Sequence, residues 1–314
     1  MLNNPSSQKI YTIGEIVYDI VFKNGKPISA NPGGAMLNTA VSLGRLALPI
    51  SLISELGQDN IGQEIIQFLK HNNVETGNIF RFNKGNTALA LAFLDENNNA
   101  NYDFYKSYPA KRLVGKLPDA TENDIVLFGS FFALSPEVRE PLMNFLHQAS
   151  KNNALIIYDP NIRKSNGISD STINKYISEN IEIADIVRAS DEDFLNLDPK
   201  VNSPEAAFRF VQIRGCGNLI YTQSNLKMDF ISNDFSFNLP VPKIEAISTI
   251  GAGDNFNAGL IYGLYNQGIT HSNIQQIKPE TWKEICKTAI SFGSHVCTRI
   301  ENYISEGFAN GTLL

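Results

Sequence analysis

Residues 248–263 read STIGAGDNFNAGLIYG, with Gly251 and Gly253 just ahead of a helical pattern that puts Phe256, Leu260 and Leu264 on one face. Small residues at a helix start leave backbone N–H groups unpaired and open to approach, and the helix dipole adds partial positive charge there. Such a turn can hold a phosphoryl group. Asp254 falls in the first helical turn, beside that anion site. A carboxylate in this place can act as a general base toward a substrate hydroxyl, or it can do no more than cap the helix. The pattern is not a dinucleotide fingerprint, because Phe256 and Asn257 stand where the third glycine belongs, and the chain has no GxxxxGK[ST] loop.

A second glycine-led helix start lies at residues 31–40, NPGGAMLNTA. Gly33 and Gly34 permit close backbone approach to a ligand. Asn38, one turn inside the helix, can donate to and accept from sugar hydroxyls, or simply be solvated. The turn GQDNIG at 57–62 is one that any loop could contain. His71, His147, His271 and His295 have no metal-ligand spacing and read as surface or packing residues.

The elements that must position these groups show as alternating patterns. Lys9 to Val21 reads as a strand entering a turn, Gly34 to Leu46 as a helix, Ile50 to Ile53 as a short strand and Gln63 to His71 as a helix ending at Asn72-Asn73. Four apolar runs follow, DIVLFGS, ALIIYDP, ADIVRAS and GNLIYTQ, separated by helical stretches. Short runs apolar on both faces, alternating with helices, predict parallel strands covered on both sides. Residues 79–106 break the rhythm with two or three strands and no helix between them. There Thr87, Leu89, Leu91 and Phe93 alternate with Ala88, Ala90 and Ala92, a period of two that gives one large-residue face and one alanine face. The segment is either an edge hairpin pressed on a helix or a small projecting sheet whose alanine face leaves room for a ligand or a partner sheet.

The chain has 314 residues, 43% hydrophobic and 18% charged, with net charge −6 and scattered Lys and Arg. That composition suits a full-sized core and gives no electrostatic footprint for nucleic acid or anionic lipid. The first nine residues are polar, no apolar run is long enough to span a bilayer, and three cysteines without CxxC spacing argue against a disulfide framework or a structural zinc. The expectation is a reduced, soluble, cytoplasmic protein with no membrane partner.

Two glycine motifs in this order, more than 150 residues apart, resemble the ribokinase-like (PfkB) family of sugar and nucleoside kinases. GGAMLNTAVSLGRLALPISLISELGQDNIG (33–62) looks like its N-terminal signature, STIGAGDNFNAGL its C-terminal one, and YDPNIR (158–163) is similar to the DPNxR segment of the bacterial fructokinase branch. The resemblance implies one α/β domain over residues 1–314, a Rossmann-like three-layer αβα ribokinase-like fold with a small projecting β-sheet lid built mainly from about 14–30 and 79–110. It implies a sugar between lid and domain, ATP along the C-terminal half and Mg²⁺ as cofactor; the alanine face beside a large-residue face over 87–93 predicts a homodimer through the lid. Asp19, Gly33, Gly34, Asn38, Tyr105, Lys106 and Arg163 match substrate positions. Gly251, Ala252 and Gly253 match the anion hole and Asp254 the base. Ser190, Thr222 and Ser224, with Gly251 and Gly253, correspond to nucleotide positions, and Asp193 to a metal-water position.

The sequence departs from the family in four places. Ser190-Asp-Glu-Asp193 replaces the usual Asn-x-x-Glu. Ser248 stands where an Asp opens the signature, which removes the residue on which activation by a monovalent cation (K⁺) would be argued. Ser224 replaces a glycine after Thr222. Lys106 replaces a common Arg, exchanging a bidentate fork for a point charge. The substrate implied is fructose, with 2-keto-3-deoxygluconate kinase and ribokinase as rival enzymes and a non-catalytic sugar-binding regulator as the alternative of another class.

Overall fold

The computed structural model describes residues 8–96, 100–162, 170–224 and 226–313. In chain order its first strands are β1 (Ile10–Ile13), β2 (Val17–Lys23), β3 (Lys26–Gly33), β4 (Ile50–Gly57), β5 (Ile79–Phe82), β6 (Asn86–Leu94) and β7 (Ala100–Ser107). Then come β8 (Ile125–Gly129), β9 (Leu155–Asp159), β10 (Ile186–Ser190), β11 (Asn218–Gln223), β12 (Lys227–Ser232) and β13 (Ser236–Pro240). The helices are α1 (Ala35–Arg45), α2 (Asn60–His71), α3 (Pro136–Lys151), α4 (Asp170–Ile183), α5 (Asp191–Leu197), α6 (Pro204–Gln212), α7 (Ala252–Asn266), α8 (Pro279–Cys297) and α9 (Glu306–Leu313).

The four apolar runs form β8 to β11, adjacent and parallel. With β1, β4 and β5 on one side and the antiparallel β12 and β13 on the other, they make a nine-stranded sheet ordered β13-β12-β11-β10-β9-β8-β1-β4-β5. Successive side chains of one strand feed different cores, as period-two geometry requires. Ile125, Leu127, Leu155 and Ile157 join Leu37, Val41, Leu260 and Ile285 of α1, α7 and α8 on one face. Val126, Phe128, Ile156 and Tyr158 join Leu142, Leu146, Ile177 and Val211 of α3, α4 and α6 on the other. The αβα layering expected from the sequence is therefore the observed one. The contact of α7 with α8 is close: a Cβ on Gly259 would lie 2.7 Å from the Ala289 Cα.

A second sheet of four strands, ordered β3-β2-β6-β7, stands apart from the first. One feature differs from expectation. Residues 79–82, counted with this small sheet from the sequence, instead pair in parallel with β4 at the edge of the large one. The alanine face leads toward the cleft, the ligand-side alternative of the expectation. Ala90 is in register with Asp19 and Phe104, and Ala92 with Val21 and Tyr102, so these side chains share a face. Tyr102 and Phe104 stack with centroids 5.9 Å apart, and Ala88, Ala90 and Ala92 are buried. Leu89, Leu91 and Phe93, on the opposite face, are left partly exposed.

Among the described residues no helix is long and apolar enough to cross a membrane. Cys216, Cys286 and Cys297 are free thiols.

Candidate active site

Both glycine motifs start helices from a left-handed backbone. Gly34, with φ 117°, is the N-cap of α1, and Gly251, with φ 79°, is the N-cap of α7. A Cβ on Gly34 would meet the Glu15 carbonyl oxygen at 2.4 Å, and one on Gly251 the Asn302 carbonyl oxygen at 2.7 Å. Only glycine meets both demands. The two helix starts open on a shared cleft of about 1020 Å³, lined by Gly34, Ala35, Asn38, Gly251, Ala252, Gly253 and Asp254 among others.

Asp254 lies in the first turn of α7, 9% exposed. It accepts a hydrogen bond at Oδ2 from Asn38 Nδ2 at 2.8 Å, and its backbone carbonyl accepts one from Thr39 Oγ1, also at 2.8 Å. One turn on, Ser42 Oγ donates to Asn255 Oδ1 at 2.5 Å, while Asn255 Nδ2 donates to the carbonyls of Gly251 and Asn302. Residues more than 200 positions apart in the chain thus fix the carboxylate in one orientation. Asn38 lines the cleft, its amide N–H serves Asp254, and its Oδ1 is buried without a protein partner.

Asp19 reaches the cleft from β2. A Cβ on Gly33 would fall 1.9 Å from Asp19 Oδ2, so Gly33 makes room for this carboxylate rather than lining the cleft itself. On β7 the inward side chains are not the ones expected from the sequence. Tyr105 pairs in register with Leu89, on the face turned from the cleft, and is 59% exposed, whereas Tyr102 and Phe104 line the cleft. Lys106 pairs with Glu15 at 2.7 Å and lines a separate cavity of about 410 Å³, with Tyr108 and Arg112. Arg163 lies outside the described residues.

Ser190, Thr222 and Ser224 all line the cleft. Ser190 and Asp193 form a capping box at the start of α5: Asp193 N–H donates to Ser190 Oγ, and Asp193 Oδ2 accepts from the Ser190 N–H. Ser190 Oγ also contacts Asp193 Oδ2 at 2.7 Å, and Asp193 Oδ1 accepts from Ile162 N–H at 2.5 Å. This carboxylate is therefore engaged in holding α5 and the loop after β9, which leaves little of it for a metal's water.

Four polar residues around this floor were not assigned from the sequence. Asp159, at the end of β9 and 1% exposed, accepts at Oδ2 from Asn257 Nδ2 at 2.5 Å and from Arg188 Nη1 at 3.3 Å. Burial pushes its carboxyl up to about 6; Asp193 and Asp254 push the same way, against Arg188 and Asn257. Arg188, on β10, also donates from Nη2 to Thr222 Oγ1 at 3.1 Å. Thr39 completes the set through its bond to Asp254. The signal for Arg188 was present in ADIVRAS: a lone charge inside an apolar central strand is buried and must be paired.

A family model described as pfkB family carbohydrate kinase matches residues 7–306. An uncharacterized sugar kinase of Pyrococcus horikoshii is 30% identical over 268 residues, which cover 81% of this chain and 82% of that one. A Rhizobium leguminosarum fructokinase is 25% identical, covering 81% and 79%. In three dimensions, the Vibrio cholerae fructokinase in its fructose-, ADP- and calcium-bound form superposes with a TM-score of 0.86 at 19% identity, covering 99% of this chain and 100% of that one. The Salmonella enterica aminoimidazole riboside kinase, complexed with its riboside and an ATP analog, gives 0.81 at 19% identity, covering 98% and 100%. With its two glycine-led helix starts meeting at Asp254, this chain belongs to the pfkB family of carbohydrate kinases, phosphotransferases that act on an alcohol group.

Proposed function

We propose that the chain transfers the γ-phosphoryl group of ATP to a hydroxymethyl group of a small sugar, with fructose as its substrate and Asp254 as its base. The observation that carries this reading is the fixed, nearly buried carboxylate of Asp254 at the mouth of a glycine turn. A carboxylate with a reference pKa of about 3.9 does not deprotonate a sugar alcohol outright. It orients the hydroxyl and takes its proton late, as the bond to phosphorus forms in a loose transition state. The N–H groups of Gly251, Ala252 and Gly253 neutralise the transferring group.

The site residues fit a nucleotide: the turn is open to backbone approach, and Ser190, Thr222 and Ser224 line the same cleft. Among the described residues no group of three or more His, Cys, Asp or Glu side chains could hold a metal ion. Mg²⁺ would therefore be held by ATP oxygens and water, supplying charge neutralisation between phosphates. The sugar would lie between Asp19 and Asp254, against Tyr102 and Phe104.

Relatives named fructokinase support fructose as the acceptor. A panel assay of ATP consumption across fructose, ribose, 2-keto-3-deoxygluconate, tagatose and adenosine tests it. Fructose should give the highest kcat/KM; a higher value for any other acceptor would replace it, and no turnover at all would favour a sugar-binding regulator. We further propose a cytoplasmic homodimer in which a second copy covers the partly exposed face of Leu89, Leu91 and Phe93. A monomer mass by light scattering at micromolar concentration would reject that assembly.

A further inference from the structure

A cleft for a polyanion here has a charged lining made mostly of acids. Glu15, Asp19, Asp191, Glu192, Asp193 and Asp254 all face it, and Arg188 is the one cation among the described lining residues. Its placement is specific. A Cβ on Gly253 would lie 2.9 Å from Arg188 Nη1, so the guanidinium sits directly beneath the middle of the glycine turn, and Gly253 has no side chain to cover it. The side chain is 10% exposed and cannot move freely: it spans from Asp159 Oδ2 to Thr222 Oγ1 and rests over the Phe256 ring at 5.2 Å.

The bonding of the guanidinium itself leaves capacity for a further anion. The Arg188–Asp159 contact is long, at 3.3 Å, and the oxygen it uses is held more closely by the neutral amide of Asn257, at 2.5 Å. The partner at Nη2 is a neutral hydroxyl. Arginine keeps its charge even when buried, and its planar fork suits phosphate oxygens.

We propose that Arg188 is the resident cation of the phosphoryl site, contacting the terminal phosphate of the nucleotide through the gap left by Gly253. Asp159 and Asn257 act as positioning residues that hold the guanidinium under the turn. This inference rests on the kinase reading and names the group in that site that discriminates ATP from its shorter relatives. Charge directed at the transferring group helps most when it is fixed in advance in a water-poor site.

Removing Arg188 alone would strand the buried Asp159 charge, so the main test uses Arg188→Met combined with Asp159→Asn, which removes both. Calorimetric titration with adenosine, AMP, ADP and ATP should show adenosine and AMP binding within about twofold of wild type and ATP weakened by about tenfold or more. The kcat should fall by about a hundredfold. Equal losses along the whole series, or unchanged ATP affinity and kcat, would overturn the assignment. If the double variant does not fold, as judged by circular dichroism, Arg188→Gln carries the same expectation, because it keeps an amide donor toward Asp159 and Thr222. The two readings fail separately. A wild-type chain that phosphorylates no sugar and binds no nucleotide removes the kinase reading, whereas an active wild type whose variants leave the ATP preference intact removes only the role of Arg188.

Discussion

The starts of α1 and α7 use one backbone device for two kinds of work. Each begins at a glycine in a conformation that side chains resist, and each lines the same cleft. The difference lies in the next few residues. Three positions after Gly251 stands a carboxylate, Asp254; four positions after Gly34 stands an amide, Asn38, which donates to that carboxylate. In the reaction proposed above, one helix start carries the reactive group and the other aims it. A glycine-led helix start is therefore a mounting, and its chemistry is set by the side chain in the first turn.

This division of labour can be broken most sharply at Asp254. Asp254→Asn keeps an oxygen able to accept from Asn38 and removes only the base, so kcat should drop by about a hundredfold or more. Thermal unfolding should barely shift, because Asn tolerates the same helix start. Single-turnover phosphorylation paired with a melting curve checks both parts, and a folded Asp254→Asn variant that keeps most of its kcat would remove Asp254 from the catalytic role. A smaller effect is expected on the α1 side. Asn38→Ala leaves the base in place but unaimed, so kcat should fall by roughly tenfold, the order of one charge-assisted hydrogen bond of about 1.5–3 kcal/mol. The sugar KM should move less. A large rise in sugar KM with unchanged kcat would instead make Asn38 a direct substrate ligand, and the two helix starts would then do more similar work.

Where burial pattern decided structure, the sequence was a sufficient guide. DIVLFGS, ALIIYDP, ADIVRAS and GNLIYTQ are apolar at nearly every inward and outward position, and a strand of that kind has few places to go except the middle of a covered parallel sheet. The glycines before α1 and α7 were likewise readable from their neighbours. Side-chain direction in the small sheet was harder. The resemblance assigns Tyr105 together with its neighbour Lys106, but adjacent strand residues point to opposite faces, and the fold turns Tyr102 and Phe104 to the cleft instead. Residues 79–82 pair with β4, the strand just before them across α2, so they continue the strand–helix alternation rather than begin the small sheet. Arg188 and Asp159 were visible as charges in apolar runs, but only the fold brings them beneath Gly253.

The bonds joining α1 to α7 also say when, during folding, this protein first has an active site. Asn38 and Asp254 are separated by 216 residues, and Ser42 and Asn255 by 213. Closing so long a loop is entropically costly, and contacts of this range form late compared with those between neighbouring strands. On a growing chain, α1 has emerged and can pack on β1 and β4 long before α7 exists. During that interval Asn38, Thr39 and Ser42 are polar groups waiting in a face destined to be buried. On the proposed reading, catalytic competence comes no earlier than the docking of α7 on α1, the event that also pairs Asn38 Nδ2 and Ser42 Oγ.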